Sequence, residues 1–256
     1  MKIASWNVNS LRARMSHVVA WLEAQQPDVL ALQEIKMVDS EFPALEFDRL
    51  GYQAICSGQP SYNGVALLTK KDADDVVTAL PDFDDPQKRV LGAKVGGVYV
   101  LDLYVPNGQA VDTDKYRYKL EWLAQLDLWV QQLAQEHANL VLLGDFNITP
   151  DDRDIYDPGA WGEAVLASPP ERDALRSLLG HGLKDSFRLL HDGGGNFSWW
   201  DYRAAGFQRN LGLRIDLILL SGPLSERCSA AWIDREPRGW DKPSDHAPVI
   251  VELNFP

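Results

Sequence analysis

The 256-residue sequence is poor in cysteine, in long apolar runs and, relative to acid, in positive charge. Its two cysteines, Cys56 and Cys228, stand in no metal-ligand spacing, which excludes a thiolate metal site and a disulfide-rich scaffold. They fit a reduced, cytoplasmic protein with two incidental thiols, or at most a single disulfide. No apolar run approaches the roughly 18 residues of a membrane span. The opening MKIASWNVNS is interrupted by polar residues too early to be a signal-peptide core. Linkers of low complexity, internal repeats and abrupt shifts of composition are also missing, so one domain over residues 1–256 is expected. With 25 basic against 37 acidic residues the net charge is −12, which argues against a general polyanion binder.

What remains is a globular composition, 45% hydrophobic and 24% charged, long enough to bury a large core. Positive charge is concentrated locally. YRAAGFQRNLGLR (202–214) carries Arg203, Arg209 and Arg214 without an acid, and KYRYK sets Lys115, Arg117 and Lys119 around Tyr116 and Tyr118. These stretches allow a local basic face on an acidic body.

Apolar runs predict strands over 3–8, 29–32, 64–69, 98–105, 140–143, 215–220 and 249–253. A helix is expected over 11–26, stopped by Pro27. Another is expected over 113–137, where Tyr116, Leu120, Leu123, Leu126, Val130 and Leu133 recur at spacings of three and four. Asp112 and Thr113 offer its cap. Strands mixed with a few long helices imply a layered α/β or α+β sandwich, sheet on sheet with helices outside.

Polar residues fall at the ends of these strands. In NLVLLGDFNITP (139–150), four apolar residues lead through Gly144 to Asp145 and Asn147. Asn7, Glu34, Tyr104 and Asn107 likewise end or follow strands, whereas Asp216 and Asp245–His246 precede or start apolar runs. Between antiparallel neighbours the end of one strand lies beside the start of the next, so these residues can gather on one rim. Four carboxylates gathered there (Glu34, Asp145, Asp216 and Asp245) repel one another unless a cation is present. Oxygen donors with one His and no Cys point to Mg²⁺, with Mn²⁺ as a substitute, and so to phosphoryl chemistry. His246 then serves as acid, base or cationic phosphate contact. Taken singly, each residue has an ordinary structural explanation: Asp145 as a turn, Tyr104 and the Trp199–Trp200 pair as core. Recurrence at six strand termini outweighs those explanations.

PDVLALQEIK (27–36), LYVPNG (103–108), LLGDFNITP (142–150), NFSWWDYR (196–203), NLGLRIDLILLS (210–221) and KPSDHAPV (242–249) resemble the exonuclease III family of apurinic/apyrimidinic endonucleases. That family belongs to the deoxyribonuclease I-like phosphoesterase superfamily, and the resemblance runs from WNVNS to SDHAPV. It implies a four-layer αββα sandwich of two mixed, largely antiparallel sheets with helices outside. Glu34 is then the principal metal carboxylate, with Asn7 and Asp245 in support and Asp145 and Asn147 at a second metal position. Asp145 also orients or deprotonates the attacking water, and Asn147 steadies it. Tyr104 and His246 address the phosphate, and Asp216 partners His246. Asn107, Trp199, Tyr202, Arg203 and Leu213 are the implied substrate contacts, Trp199 and Leu213 walling the pocket of an extruded abasic sugar.

Three departures stand out. Leu189 replaces the family's Lys or His after Arg188, Gln109–Ala110 replace a basic residue of some relatives, and residues 151–170 are rich in small side chains. The last feature predicts room for continuous duplex. The activity implied is Mg²⁺-dependent cleavage 5′ to abasic sites, leaving a 3′-hydroxyl, with 3′-phosphatase or 3′–5′ exonuclease activity. The partner is duplex DNA carrying abasic sites or blocked 3′ ends, and a monomer is expected. The alternatives are a mainly 3′-end-processing enzyme, a lipid or inositol phosphatase, and an inactive DNA-binding relative.

Overall fold

Side chains along residues 140–143 alternate between two cores: Leu140 and Leu142 pack with helices, Val141 and Leu143 with a second sheet. Repeated across the chain, this split builds four layers in a computed structural model that describes residues 1–255. In chain order the strands are β1 (Lys2–Asn7), β2 (Val29–Gln33), β3 (Gln53–Ser57), β4 (Val65–Thr69) and β5 (Ala73–Val77). β6 (Val90–Val95), β7 (Val98–Tyr104), β8 (Leu140–Asp145) and β9 (Leu183–Asp185) follow. A short ribbon of β10 (Trp199–Trp200) and β11 (Gly212–Leu213) precedes β12 (Asp216–Ser221), β13 (Cys228–Ile233) and β14 (Val249–Leu253). The helices are α1 (Leu11–Gln25), α2 (Ala44–Asp48), α3 (Asp114–Glu136), α4 (Pro158–Trp161), α5 (Pro169–Gly180) and α6 (Gly222–Ser225).

One six-stranded sheet has the order β13-β14-β1-β2-β4-β3, the other β5-β6-β7-β8-β12-β9. Each is antiparallel apart from one central parallel pair, β1 with β2 and β7 with β8. Ile3, Ala31 and Leu67 of the first sheet meet Val100, Val141 and Ile218 of the second between the layers. Outside the first sheet, α1 buries Leu11, Val18, Trp21 and Leu22 against Trp6, Leu30 and Leu32. Outside the second, α3 buries Trp122, Leu126 and Val130 beside Leu175 and Leu178 of α5. This is the four-layer sandwich of two mixed, largely antiparallel sheets that the resemblance implies.

The seven expected strands and both long helices form. Thr113 caps α3, its Oγ1 accepting from Tyr116 N at 3.2 Å, and α1 stops at Gln26 in the left-handed region. Strands β3, β5, β6, β9, β10, β11 and β13 lie outside the predicted runs, and several are half exposed. Cys56 and Cys228 are both free thiols.

Gly144 has a packing reason. At φ 138° it lies so close to β7 that a Cβ there would stand 1.9 Å from Leu103 O. The close approach sets Asp145 directly beside Tyr104 in parallel register.

Candidate active site

The inner faces of the sheets change from apolar to polar along the strands. Period-two alternation carries β1 from Ile3 through Ser5 to Asn7, and β8 from Val141 through Leu143 to Asp145. Halfway along, Ser5, Gln33 and Asp102 form a buried polar bridge between the sheets, with Gln33 Nε2 donating to Asp102 Oδ1 at 2.6 Å. At the end of the gradient the strand termini converge.

Asn7 Nδ2 donates to Glu34 Oε1 and to Asp145 Oδ2, both at 2.9 Å, tying the two sheets together. His246 Nδ1 lies 2.9 Å from Asp216 Oδ2, and its Nε2 lies 3.7 Å from Asp145 Oδ2. Ser198 Oγ accepts from the backbone N–H of Ile215 and Asp216, fixing the carboxylate that holds the imidazole. Ser244 Oγ donates to Asn7 O and accepts from His246 N, so the Asp245–His246 turn is sewn to the end of β1. Glu34 at φ 54° and Asn147 at φ 49° occupy the left-handed region that non-glycine residues avoid, a strain concentrated where these side chains are presented.

The electrostatics follow from burial. Loss of water raises the Asp145 carboxyl to about 7; Asp216 and Glu34 add to the rise, while His246 and Asn7 oppose it. Burial alone would lower His246, but Asp216 and Asp145 outweigh it and carry the imidazole to about 10, so it is a cation at neutral pH. Burial first, then the Glu34 and Asp145 charges, push the Tyr104 phenol well above its ordinary value, leaving a neutral donor. Burial also works against the Asp245 charge, yet His246, Trp199 and Asn9 hold that carboxyl below its usual range.

Glu34, Asp145 and His246 each place a ligating atom within 4.8 Å of the other two. The two carboxylates of this cluster offer oxygen donors that suit a hard cation, whereas the protonated His246 offers it no lone pair. The other residues of the expected ligand set lie around this cluster, each in hydrogen bonds of its own. Asn7 directs its amide nitrogen at the carboxylates, and its Oδ1 accepts from Asn9 N at 3.0 Å. Asn147 accepts on Oδ1 from Asn107 at 2.9 Å and donates to Val105 O at 3.0 Å. Asp245 sits one layer out, held by Asn9 Nδ2 at 3.0 Å and Trp199 Nε1 at 2.9 Å.

The substrate contacts also fall unevenly. Trp199 is half-buried beside Asp245, and exposed Tyr202 donates its hydroxyl to Pro243 O at 2.8 Å. Leu213 has no accessible surface: it packs with Ile155, Leu166, Ala167 and Ile215 in a cluster on which Val165 and Trp199 lie. Most of 151–170 is exposed, and Leu166 and Ala167 fold inward onto Leu213. Of the three arginines over 202–214, Arg209 alone is exposed without an ion pair among the described residues. Arg214 is buried in ion pairs with Asp154 and Asp185, and exposed Arg203 is clasped by Asp201. Lys119 of the KYRYK run is buried as well.

The sequence drew no attention to Lys36 or Asn9, and offered Lys119 only as part of a basic stretch. Lys36 Nζ pairs with Glu34 Oε2 at 2.9 Å and donates to Asn9 Oδ1 at 2.6 Å, linking Glu34 to Asp245 through one amide. Lys119 Nζ donates to Asn107 O at 3.2 Å, to Asn147 O at 2.6 Å and to Glu171. Its signal was present: it is a lysine on the apolar stripe of α3, three residues from Tyr116 and four from Leu123.

Residues 4–246 match the Endonuclease/Exonuclease/phosphatase family. The chain is 39% identical over 266 residues to Exodeoxyribonuclease III of Haemophilus influenzae, spanning 99% of this chain and 100% of that one. Its fold superimposes on the 3′ phosphatase NExo from Neisseria, in a structure with a product DNA hairpin, with TM-score 0.98, 45% identity and full coverage of both chains. An AP endonuclease from Archaeoglobus fulgidus matches with TM-score 0.96, 35% identity and full coverage of both. A buried carboxylate and imidazolium at the meeting point of two sheets, in a chain related end to end to these nucleases, has one reading. The chain belongs to the exonuclease III family within the deoxyribonuclease I-like superfamily, and it is a hydrolase, a DNA-repair phosphodiesterase.

Proposed function

We propose that this phosphodiesterase cleaves duplex DNA on the 5′ side of abasic nucleotides, leaving a 3′-hydroxyl, and that Mg²⁺ is its ion, with Mn²⁺ as a substitute. The observation that carries the reading is the pairing of a near-neutral carboxyl, Asp145 at about 7, with the imidazolium of His246. A base matched to ambient pH takes a proton from water most effectively, and Asp145 accepts the Asn147 N–H at 2.9 Å, which fixes its orientation. Asp216 keeps His246 charged and oriented, so Nε2–H is a cationic donor for a phosphate oxygen. Tyr104 supplies a neutral hydroxyl on the same rim. Glu34 and Asp145 would hold the ion, which when bound neutralises charge on the phosphate.

A second reading, 3′-end processing as the main activity, is favoured by the closed apolar cluster over Leu213 and by the 45% identity to a 3′ phosphatase. Both readings are tested in one experiment. Duplexes with an internal abasic site and with a 3′-phosphate end are incubated in parallel with and without Mg²⁺. Faster incision at the abasic site supports the first reading, and faster release of inorganic phosphate the second. No product from either at any Mg²⁺ concentration contradicts both.

A further inference from the structure

Two arginines on the first turn of α1 behave differently. Arg12 is exposed and makes an ordinary ion pair with Glu41 at 2.7 Å. Arg14 has no carboxylate partner among the described residues, and its guanidinium reaches three neutral oxygens instead. Nη1 donates to Asn9 O at 2.6 Å, and Nη2 donates to the Tyr202 hydroxyl at 3.2 Å and to Pro243 O at 3.1 Å. Those oxygens lie on three segments: the β1–α1 connection, the loop after β10 and the loop that leads into Asp245–His246.

The backbone is bent where this side chain leaves it. Asn9 at φ 44° and Ser10 at φ 90° stand in the left-handed region, and Arg14 itself departs from helical geometry at φ −118°, ψ 15°. Such distortion persists only where the surroundings over-determine it. Here the surroundings are two loops that lie 188 and 229 residues away in sequence. Arg14 Nε is buried without a partner, so the head group is enclosed by protein on that side.

What these bonds hold is the outer half of the catalytic centre. Asn9, whose carbonyl Arg14 binds, donates from Nδ2 to Asp245 Oδ1 at 3.0 Å. Asp245 Oδ2 accepts from Trp199 Nε1 at 2.9 Å, and Asp245 O accepts from Trp200 N at 3.0 Å. Tyr202 is fixed at both ends. Its hydroxyl accepts from Arg14 and donates to Pro243 O at 2.8 Å, while its ring lies 5.2 Å from the Arg238 guanidinium. Arg238 is buried and donates to Trp200 O at 3.2 Å. Trp199 and the Asp245–His246 turn are thus mounted on segments that meet at Arg14, two links from the Asp245 carboxylate.

We propose that Arg14 is a positioning residue of this phosphodiesterase. It staples the β1–α1 connection to the loops that carry Trp199 and Asp245–His246, and so fixes their spacing from Asn7 and Glu34 at the ends of β1 and β2. It acts through those residues and not as a charge on DNA. Lysine is no substitute, because a planar guanidinium spans separate acceptors in fixed geometry and an ammonium is a single point on a flexible stem. Catalytic groups that shift by a fraction of an ångström lose rate before they lose substrate. The assignment rests on the hydrolysis of DNA, but not on whether abasic sites or 3′ ends are cut faster.

The test separates positioning from phosphate contact. Arg14→Met, Arg14→Lys and Tyr202→Phe are made in the full chain. Single-turnover rates are measured with saturating Mg²⁺ on whichever duplex, abasic or 3′-phosphate, is cut faster, and Kd is measured without the ion. The Trp199 indole N–H is followed by NMR in metal-free protein without DNA, a reading that needs no turnover. Both Arg14 variants are expected to lower the rate about tenfold with Kd within about twofold, and to shift the Trp199 indole resonance. Tyr202→Phe, which removes one of the three acceptors, should lower the rate about threefold and shift the same resonance less. A phosphate contact behaves otherwise: Kd rises in Arg14→Met with a salt slope smaller by about one, and Arg14→Lys restores it while the indole stays in place. That result overturns the proposal, and so does an unchanged rate and indole in Arg14→Met. Should the Arg14 variants fail to fold, Tyr202→Phe at a half-exposed residue decides alone, and an unmoved rate and indole there overturn the proposal.

Discussion

The two sheets are built to one plan and are used differently. In each, the order of pairings is antiparallel, antiparallel, parallel, antiparallel, antiparallel, so the parallel pair occupies the third and fourth places. Parallel neighbours finish side by side, which is why β1 and β2 deliver Asn7 and Glu34 together, and β7 and β8 deliver Tyr104 and Asp145. The first sheet's carboxylate is partly solvated and already paired: the Glu34 side chain is 18% exposed and touches Lys36. The second sheet's carboxylate is buried, and its nearest positive charge is the His246 imidazolium. The same scaffold position therefore presents a partly solvated carboxylate paired with a lysine from one sheet and a buried carboxyl raised to about 7 from the other. Solvent access and the neighbouring charge make the difference, not the strand geometry.

Breaking the second sheet's arrangement has the largest expected effect. Asp216→Asn removes the main charge sustaining the imidazolium, so the His246 proton, followed by NMR in metal-free protein, should be lost well below pH 10. Turnover on abasic-site DNA should fall by about 10²-fold. An unchanged His246 titration would show that the pairing does not set its charge.

A smaller effect is expected where the second sheet is anchored from outside. Replacing Lys119 with Met and Glu171 with Gln together removes a buried pair without leaving a lone charge, which keeps the fold. The carbonyls of Asn107 and Asn147 then lose their anchor, and kcat should drop by about tenfold with KM little changed. Equal kcat in the double variant would reduce Lys119 to packing.

The difference between the sheets also predicts a pH dependence in stability. His246 is raised from 6.5 to about 10 and Asp145 from 3.8 to about 7, so the folded state holds protons that the unfolded chain releases. Stability from Asp145 is lost as pH rises between 3.8 and about 7, and that from His246 between 6.5 and about 10. Mg²⁺ competes with these protons, so its stabilisation, read as a shift in Tm, should be larger at high pH than at low pH. A Tm shift independent of pH would separate the ion from Asp145. The smallest effect belongs to Arg203→Ala: an exposed guanidinium clasped by its own neighbour Asp201 should alter DNA affinity by less than about twofold.

What the sequence made legible has a physical pattern. Strands such as β8, buried on both faces, announce themselves as continuous apolar runs. β5, with Asp74 and Asp75 exposed at a sheet edge, needs no such run, and β13, with a bulge at its start, carries only the short and half-buried run Ala230–Ile233. The gathering of Asn7, Glu34, Tyr104, Asp145, Asp216 and His246 was legible because strand ends are readable and the sheets bring them together. Charge pairing was not, because it is tertiary. Arg214 looked free of acids, yet its partners lie 60 residues away at Asp154 and 29 away at Asp185. The orientation of Asn7 and the burial of Leu213 depend in the same way on neighbours distant in sequence.

The central claim is that Asp145 handles the proton of the attacking water at a centre where DNA is already held by other groups. Asp145→Asn keeps the side chain's shape and removes its basicity. Single-turnover incision by this variant with saturating Mg²⁺, measured beside its Kd for the same DNA, tests the claim most directly. The expected result is a rate lower by roughly 10³-fold or more with Kd within a few fold of the unsubstituted enzyme. A near-normal rate, or a loss of rate matched by an equal loss of binding, would contradict it.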